Sequence, residues 1–299
     1  MKSILITGSS SFLGWNLCNY AKSDYEVFGT ALTNRSGIAE VKESKIDLTS
    51  FDDCRKFIEE IKPDGIIHNA AYSKPDLCEK DPDYSKKLNV DTSSNLAKIA
   101  SENSIAFAFI STDLVYNGSS KMSDESTPVD PLSVYGKHKV EAEDLVLQHN
   151  SSFTVFRCPL MYGHSTTANK GYFKGFYDKM KNGEALKLFI DEYRSQAIAS
   201  DVAKGIVDLF NDGVSGIFNM GGPQRVSRFE FGMLMKSVLH LDKAQIIPAS
   251  QKDVPSVAPR AADTSMDITK ARSYGYDPSA PIKGLIQLAE EIKEYLQIE

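Results

Sequence analysis

Apolar positions along the chain fall into compact blocks separated by stretches of helical period. Ile4 to Ile6, Glu26 to Ala31, Ile66 to Ala71, Ile105 to Ile110 and Phe153 to Phe156 have the length and character of buried strands. Lys45 to Leu48 (KIDL) and Gly216 to Asn219 are shorter candidates. Between the strands, Phe51, Phe57, Ile58 and Ile61 make one apolar stripe, and Leu88, Val90, Leu96 and Ile99 mark a long helical stretch that follows PDLCEKDPDY (75 to 84) and runs to about Glu102. Helical patterns recur at Ser133 to His149, Ala199 to Phe210 and Pro281 to Leu296. Strands that alternate with helices predict an α/β fold with a parallel sheet covered on both faces.

The first strand breaks at Thr7-Gly8, and the helical pattern resumes after Gly14, with Leu17 and Tyr20 on one side. A strand, a tight glycine turn and a helix form a phosphate cradle, since the free N–H groups of the first helical turn face an anion with the positive end of the dipole behind them. Gly8, Ser10, Ser11, Phe12, Leu13 and Gly14 are therefore candidate cofactor-binding residues. The dinucleotide fingerprint is G-x-G-x-x-G, and Ser11 stands here where a middle glycine would be.

The end of the second strand is where such a fold selects its cofactor. Thr30, Ala31 and Leu32 offer no acid for a ribose 2′-hydroxyl, and Asn34 and Arg35 follow at once. NADP(H) is expected, with Arg35 facing the 2′-phosphate and NAD(H) as the alternative. The other reading of Arg35 is a solvated loop residue. Asp47, with Leu48 beside it at the end of the third strand, could accept a hydrogen bond from the adenine. The small residues Asn69, Ala70 and Ala71 close the fourth strand and keep the carboxyl edge of the sheet uncluttered for a cofactor.

Composition narrows the partners. At 299 residues, with 41% hydrophobic and 25% charged residues, the chain is an ordinary globular protein with room for one large domain and a smaller lobe. A net charge of -6 and the lack of a Lys/Arg block argue against nucleic acid as a partner. Cys18, Cys54, Cys78 and Cys158 form no C-x-x-C pair, and the histidines have no ligand-like spacing, so no metal site is expected. Asp76, Glu79, Asp81 and Asp83 read as helix-opening acids. No run approaches a membrane span or a signal-peptide core, which leads to the expectation of a cytoplasmic protein without a membrane partner.

Tyr135 and Lys139 lie four apart on a predicted helix and hence on one face. The spacing alone says little, because Tyr177 and Lys181 repeat it. Context lifts the first pair: it follows a strand ending in Ser111-Thr112-Asp113, in a chain that opens with a phosphate loop. Hydride addition to a ketone builds negative charge on oxygen, so a site for it must supply a proton and donors. A lysine ammonium near the phenol is expected to lower its pKa.

STDLVYNG (111 to 118) followed by VYGKHKVEAE (134 to 143) resembles the extended short-chain dehydrogenase/reductase superfamily. HNAAY (68 to 72), PDLCE (75 to 79), LNVD (88 to 91), DEYRS (191 to 195) and PRAADTSMD (259 to 267) resemble motifs of its dTDP-4-dehydrorhamnose reductase branch, which also includes the methionine adenosyltransferase β subunit. The resemblance implies a Rossmann-type doubly wound parallel sheet with a smaller, mostly C-terminal substrate lobe. Residues 1–160, with 195–220 returning, would bind NADP, while 161–194 and 221–299 would bind substrate. It implies Tyr135 as proton donor, Lys139 as electrostatic tuner and ribose anchor, and Thr112 as a second hydroxyl on the substrate oxygen, next to Asp113. Pro159 and Leu160 would pack beside the nicotinamide. Leu114 replaces the glutamate of related 4,6-dehydratases and cannot act as their base.

From His164 to Asn182, Lys170, Lys174, Tyr172, Phe173, Phe176 and Tyr177 belong to the expected lobe, the aromatics either lining substrate or forming its core. Arg194 and Arg260 are candidates for a diphosphate, which suits a bidentate guanidinium. Ala261 follows Arg260 where the branch usually has proline. The implied function is NADPH-dependent reduction of a nucleotide-linked 4-keto-6-deoxy sugar. The alternatives are a non-catalytic NADP-binding regulatory subunit and a sugar-nucleotide epimerase, with a homodimer as candidate assembly. KM values for NADPH and NADH test Arg35: NADPH is expected to be preferred, and a clear NADH preference removes Arg35 from the site.

Overall fold

A computed structural model describes residues 1–164 and 171–296. Its centre is a sheet of seven parallel strands in the order β11-β6-β5-β4-β1-β2-β3. These are β1 (Lys2–Thr7), β2 (Tyr25–Ala31), β3 (Lys42–Lys45), β4 (Gly65–His68), β5 (Ala106–Thr112), β6 (Thr154–Cys158) and β11 (Gly216–Asn219). Winding outward in both directions from β1 is the doubly wound arrangement, and it brings every carboxyl end to one edge with a crevice between β1 and β4.

Helices α1 (Phe12–Ala21), α2 (Phe51–Ile61), α3 (Pro75–Lys80), α4 (Pro82–Lys86), α5 (Thr92–Glu102), α6 (Val134–His149) and α8 (Ala199–Asn211) surround the sheet. One face packs Ile4, Ile6, Leu17, Val202 and Ile206 together. The other packs Leu5, Ile66, Leu96, Phe107, Phe109 and Val146. Alternate residues of β1 thus enter opposite cores, as strand geometry requires.

A separate apolar cluster unites α7 (Gly171–Asn182), α9 (Arg228–Val238) and α11 (Pro281–Leu296), with β8 (Ala185–Phe189) paired in parallel to β13 (Gln245–Ala249). Phe173 and Met180 are buried there, with Tyr172, Phe176 and Tyr177 packed around them, so these aromatics belong to a core. Lys170 lies outside the described residues. Short pairs complete the chain: β7 (Met161–Tyr162) with β10 (Ala197–Ile198), and β9 (Tyr193–Arg194) with β12 (Val226–Ser227). A last short helix, α10 (Thr269–Ser273), precedes α11.

Three boundaries differ from the apolar pattern. The third strand is KESK, not KIDL: it is a polar edge strand held only by β2, and Ile46 and Leu48 reach the core from the loop that follows. The fourth strand stops at His68, leaving Asn69 to Ala71 as open backbone at the edge. The helical stretch that runs to Glu102 starts at Pro82, ahead of the end of the 75 to 84 segment, because a proline lacking its N–H suits a helix start, and Lys87–Asp91 form a π-turn before α5.

His68 is locked beneath the edge. The Thr7 hydroxyl accepts from the N–H groups of Asn69 and Ala70, both at 3.0 Å, so its own proton goes to His68 Nδ1 at 2.7 Å. Nε2–H then donates to Ser93 at 3.0 Å, and Ser93 donates to the Asn89 carbonyl at 2.7 Å. Burial, helped by the positive charge of Lys139, pushes the imidazole down from 6.5 to about 3. Between those values the unfolded chain holds one more proton than the folded one. Stability therefore falls as pH drops through that window, by about 1.4 kcal/mol per pH unit from this group. His68→Gln is expected to lower stability near neutrality and to flatten its decline between about pH 6 and pH 4 by one proton, read by denaturant titration. An unchanged slope would refute the assignment.

Candidate active site

The glycine turn is built as a cradle. Gly8 has φ +66°, and a Cβ there would meet Ala70 Cα at 3.0 Å; a Cβ on Gly14 would lie 2.1 Å from the Gly8 carbonyl oxygen. No side chain fits at the second position. Ser11 is the N-cap of α1, which begins two residues before Gly14: its hydroxyl accepts from Gly14 N–H at 3.1 Å and from Asn69 Nδ2 at 2.8 Å. A serine cap of this kind is worth about 1 kcal/mol, so Ser11 does structural work that a glycine could not. Asn69 also donates to the carbonyls of Thr7 and Gly8, both at 3.3 Å, and so ties the β4 edge to the loop. Among the described residues nothing accepts from the N–H groups of Phe12 and Leu13, which leaves two donors at a helix start for an anion. These features fit the pyrophosphate of a dinucleotide.

The remaining cofactor candidates lie around the same edge. Arg35 is exposed in the loop after β2. In that neighbourhood Glu43 of β3 accepts from the Ser9 hydroxyl at 2.6 Å and from Ser36 N–H at 2.9 Å, a contact the sequence did not suggest. Asp47 is displaced from its expected strand end. It is exposed, and its carboxylate accepts from the N–H and hydroxyl of Thr49 at 2.9 and 2.8 Å, with its pKa lowered by those bonds. Pro159 is buried and Leu160 half-buried just beyond β6.

Helix α6 presents the chemistry. Its start is capped twice, by Ser133 accepting from Gly136 N–H at 3.1 Å and by Glu79 of α3 accepting from Val134 N–H at 2.8 Å. Glu79 is therefore a cap for another helix and not a solvated surface acid. One turn in, Tyr135 is 8% exposed and Lys139 1% exposed. Lys139 Nζ donates to the Ile110 carbonyl at 2.6 Å and sits 3.8 Å from the centroid of the Phe109 ring.

The expected lowering of the phenol's pKa is corrected. Burial pushes the Tyr135 hydroxyl well up, and the carboxylate of Asp113 adds to it. Lys139 goes down to about 7, because burial outweighs the opposing charge of Glu143. The amine points at β5, and desolvation dominates both groups.

Thr112 closes β5, its hydroxyl accepting from Leu114 N–H at 3.2 Å. Asp113 is buried, accepts from the Thr264 hydroxyl at 2.6 Å and pairs with Arg194 Nε at 3.7 Å; burial raises its pKa against the pull of that guanidinium. Arg194, a candidate for the diphosphate, is buried and paired. It is 5% exposed, its fork donates to the Ala261 carbonyl twice at 3.2 Å, and it also pairs with Glu192 at 3.4 Å. The Ala261 backbone is what the guanidinium grips. Arg260 is only half-buried, donates to the Val254 carbonyl at 2.7 Å and lies over Phe189, so it remains accessible.

With this geometry in place, comparison with known proteins adds three findings. The model of the RmlD substrate binding domain matches residues 1–293. Methionine adenosyltransferase 2 subunit beta from Xenopus laevis is 27% identical over 93% of this chain and 84% of its own length. Two solved structures share the fold: a hypothetical dTDP-4-dehydrorhamnose reductase from Sulfolobus tokodaii (TM-score 0.84, 27% identity, 94% of this chain and 98% of that one) and the dTDP-4-dehydrorhamnose reductase of Bacillus anthracis in complex with NADP (TM-score 0.87, 23% identity, 97% and 100%).

Gly14→Ala is expected to force the loop open and weaken NADPH binding more than tenfold, measured by fluorescence titration. Wild-type affinity in a folded variant would show that the turn does not cradle the cofactor.

Proposed function

The chain belongs to the RmlD substrate binding domain family, and from that premise we propose that it is an NADPH-dependent reductase of a nucleotide-linked 4-keto-6-deoxy sugar, with dTDP-4-dehydrorhamnose as the first substrate to test. One observation carries the reading: a buried phenol and a buried amine on one face of α6 lie at the sheet edge where two uncapped N–H groups and a glycine turn fit a dinucleotide. The cofactor of the Bacillus anthracis relative is NADP, and Arg35 beyond β2 suits a 2′-phosphate.

The bound nicotinamide would supply a hydride to the carbonyl carbon. Tyr135 gives its phenolic proton to the oxygen as charge develops there, and the Thr112 hydroxyl, which in the structure donates to Asp113 at 3.2 Å, would turn to give the same atom a second hydrogen bond. Because burial disfavours the phenolate, the resting group is the neutral donor that reduction requires. Lys139, poised near neutrality, supports the phenolate left behind when protonated. Leu114 follows Asp113 and carries no base, which disfavours a dehydratase. Arg260 is the accessible cation for the diphosphate, while Arg194 and Asp113 hold the substrate side in shape.

A second reading is favoured by the likeness to methionine adenosyltransferase 2 subunit beta: an NADP-binding regulatory subunit without turnover. An epimerase would show no net NADPH consumption. Absorbance at 340 nm with dTDP-, GDP- and UDP-linked 4-keto sugars separates the reductase from the other two. Tyr135→Phe is expected to bind NADPH normally and to lose at least a hundredfold in turnover. Near-normal turnover would exclude Tyr135 as donor, and silence on the whole panel together with capture of a partner enzyme would favour the regulatory subunit.

A further inference from the structure

Behind the catalytic face lies a buried ionic network that the reaction does not itself use. Glu143 is one turn beyond Lys139 on α6, and therefore on the same face of the helix. Its carboxylate accepts from Arg157 of β6 through Nε at 3.1 and 3.2 Å and through a second nitrogen at 2.6 Å, and from the Ser111 hydroxyl of β5. Arg157 also donates to the Tyr116 hydroxyl at 3.0 Å, which in turn donates to Asn219 of β11 at 3.0 Å. The Glu143 and Arg157 side chains are 3% and 4% exposed. A fork-to-fork pair in a dry interior fixes both angle and height, because two parallel bonds leave a helix no freedom to roll.

We propose that Glu143 is a positioning residue: its carboxylate, gripped by Arg157 and Ser111, sets the rotation of α6 over β5 and β6 and places a counter-charge beside the Lys139 amine. The proposal rests on the reading of Tyr135 and Lys139 as catalytic groups. Ser111 precedes Thr112 and Arg157 precedes Cys158, so the same three side chains also register α6 against the strand ends where the substrate oxygen would lie.

The groups facing Lys139 are few. From β5 come the Ile110 carbonyl and the Phe109 ring, from β4 the neutral His68, from β6 the Cys158 thiol and from α6 Glu143. Burial holds the Cys158 thiol protonated by raising its pKa. Glu143 is thus the one negative charge acting on the amine at neutral pH among these groups, and it opposes the burial that drives the proton off.

The test is Glu143→Gln in the full chain, an isosteric change that keeps the shape and deletes the charge. The Lys139 ε-methylene resonance, assigned with Lys139→Met, is titrated by NMR in 13C-lysine-labelled protein. The midpoint is expected to fall by about one pH unit, with the alkaline limb of turnover moving alongside it and KM for NADPH changing less than kcat. Glu143→Asp serves if the first variant does not fold: moving the charge by one methylene is expected to displace the midpoint, and a midpoint matching the wild type would overturn the proposal in either variant. The NMR titration needs no turnover, so a chain without reductase activity still answers it, whereas the reductase reading stands or falls on Tyr135→Phe and the sugar panel.

Discussion

Taking a phenol and an amine out of water is the condition to which the rest of this molecule answers. Desolvation works against the charged form of each, raising Tyr135 and lowering Lys139. A site that, in the proposed reduction, gives up a proton and then tolerates the anion needs charge brought to it by other means. The sheet supplies part of this through geometry: seven parallel strands end at one edge, so β1, β4, β5 and β6 deliver the glycine turn, Asn69, Thr112 and Pro159 to that edge. The ionic pairs supply another part from below and from the side.

Those pairs are not ornaments of stability. A buried ion pair scarcely outperforms a well-packed apolar substitute, but losing one partner costs about 3–5 kcal/mol because the other is stranded. Asp113 with Arg194 joins the end of β5 to a segment far along the chain, and Glu143 with Arg157 ties α6 to the strand that follows it. Arg194 links the end of β5 to the Ala261 backbone, and Thr264 adds a second link to Asp113. The loop carrying Arg260 is thereby held beside the end of β5.

Much of this was legible in the sequence wherever apolar periodicity governs. Ile4 to Ile6, Ile105 to Ile110 and Phe153 to Phe156 announce strands because they are buried on both faces. KESK does not, because an edge strand with one neighbour needs no apolar face, and KIDL mimics one by sending Ile46 and Leu48 inward from a loop. At the site, Gly8 and Gly14 were readable because steric exclusion leaves a trace in residue type. The state of Arg194 was not, since a guanidinium looks the same in sequence whether it faces solvent or a backbone carbonyl. Glu143 left a usable signal that went unread: an acid one turn past Lys139, matched by an arginine inside the buried run of β6. Glu79 and His68 gave none, because their partners are fixed only when distant elements meet.

The π-turn at Lys87–Asp91 has a topological consequence. It places one residue more than an α-helix would use over the same rise, so everything after it is turned by about 100° relative to a continuous helix. That offset lets Asn89 face inward and clamp both the N–H and the carbonyl of Tyr72, at 2.8 and 3.2 Å, while Leu96 and Ile99 still meet the core. A single-residue deletion there would make the helix more regular and the protein less so: the anchor of the β4 edge and the apolar face of α5 could no longer both point home.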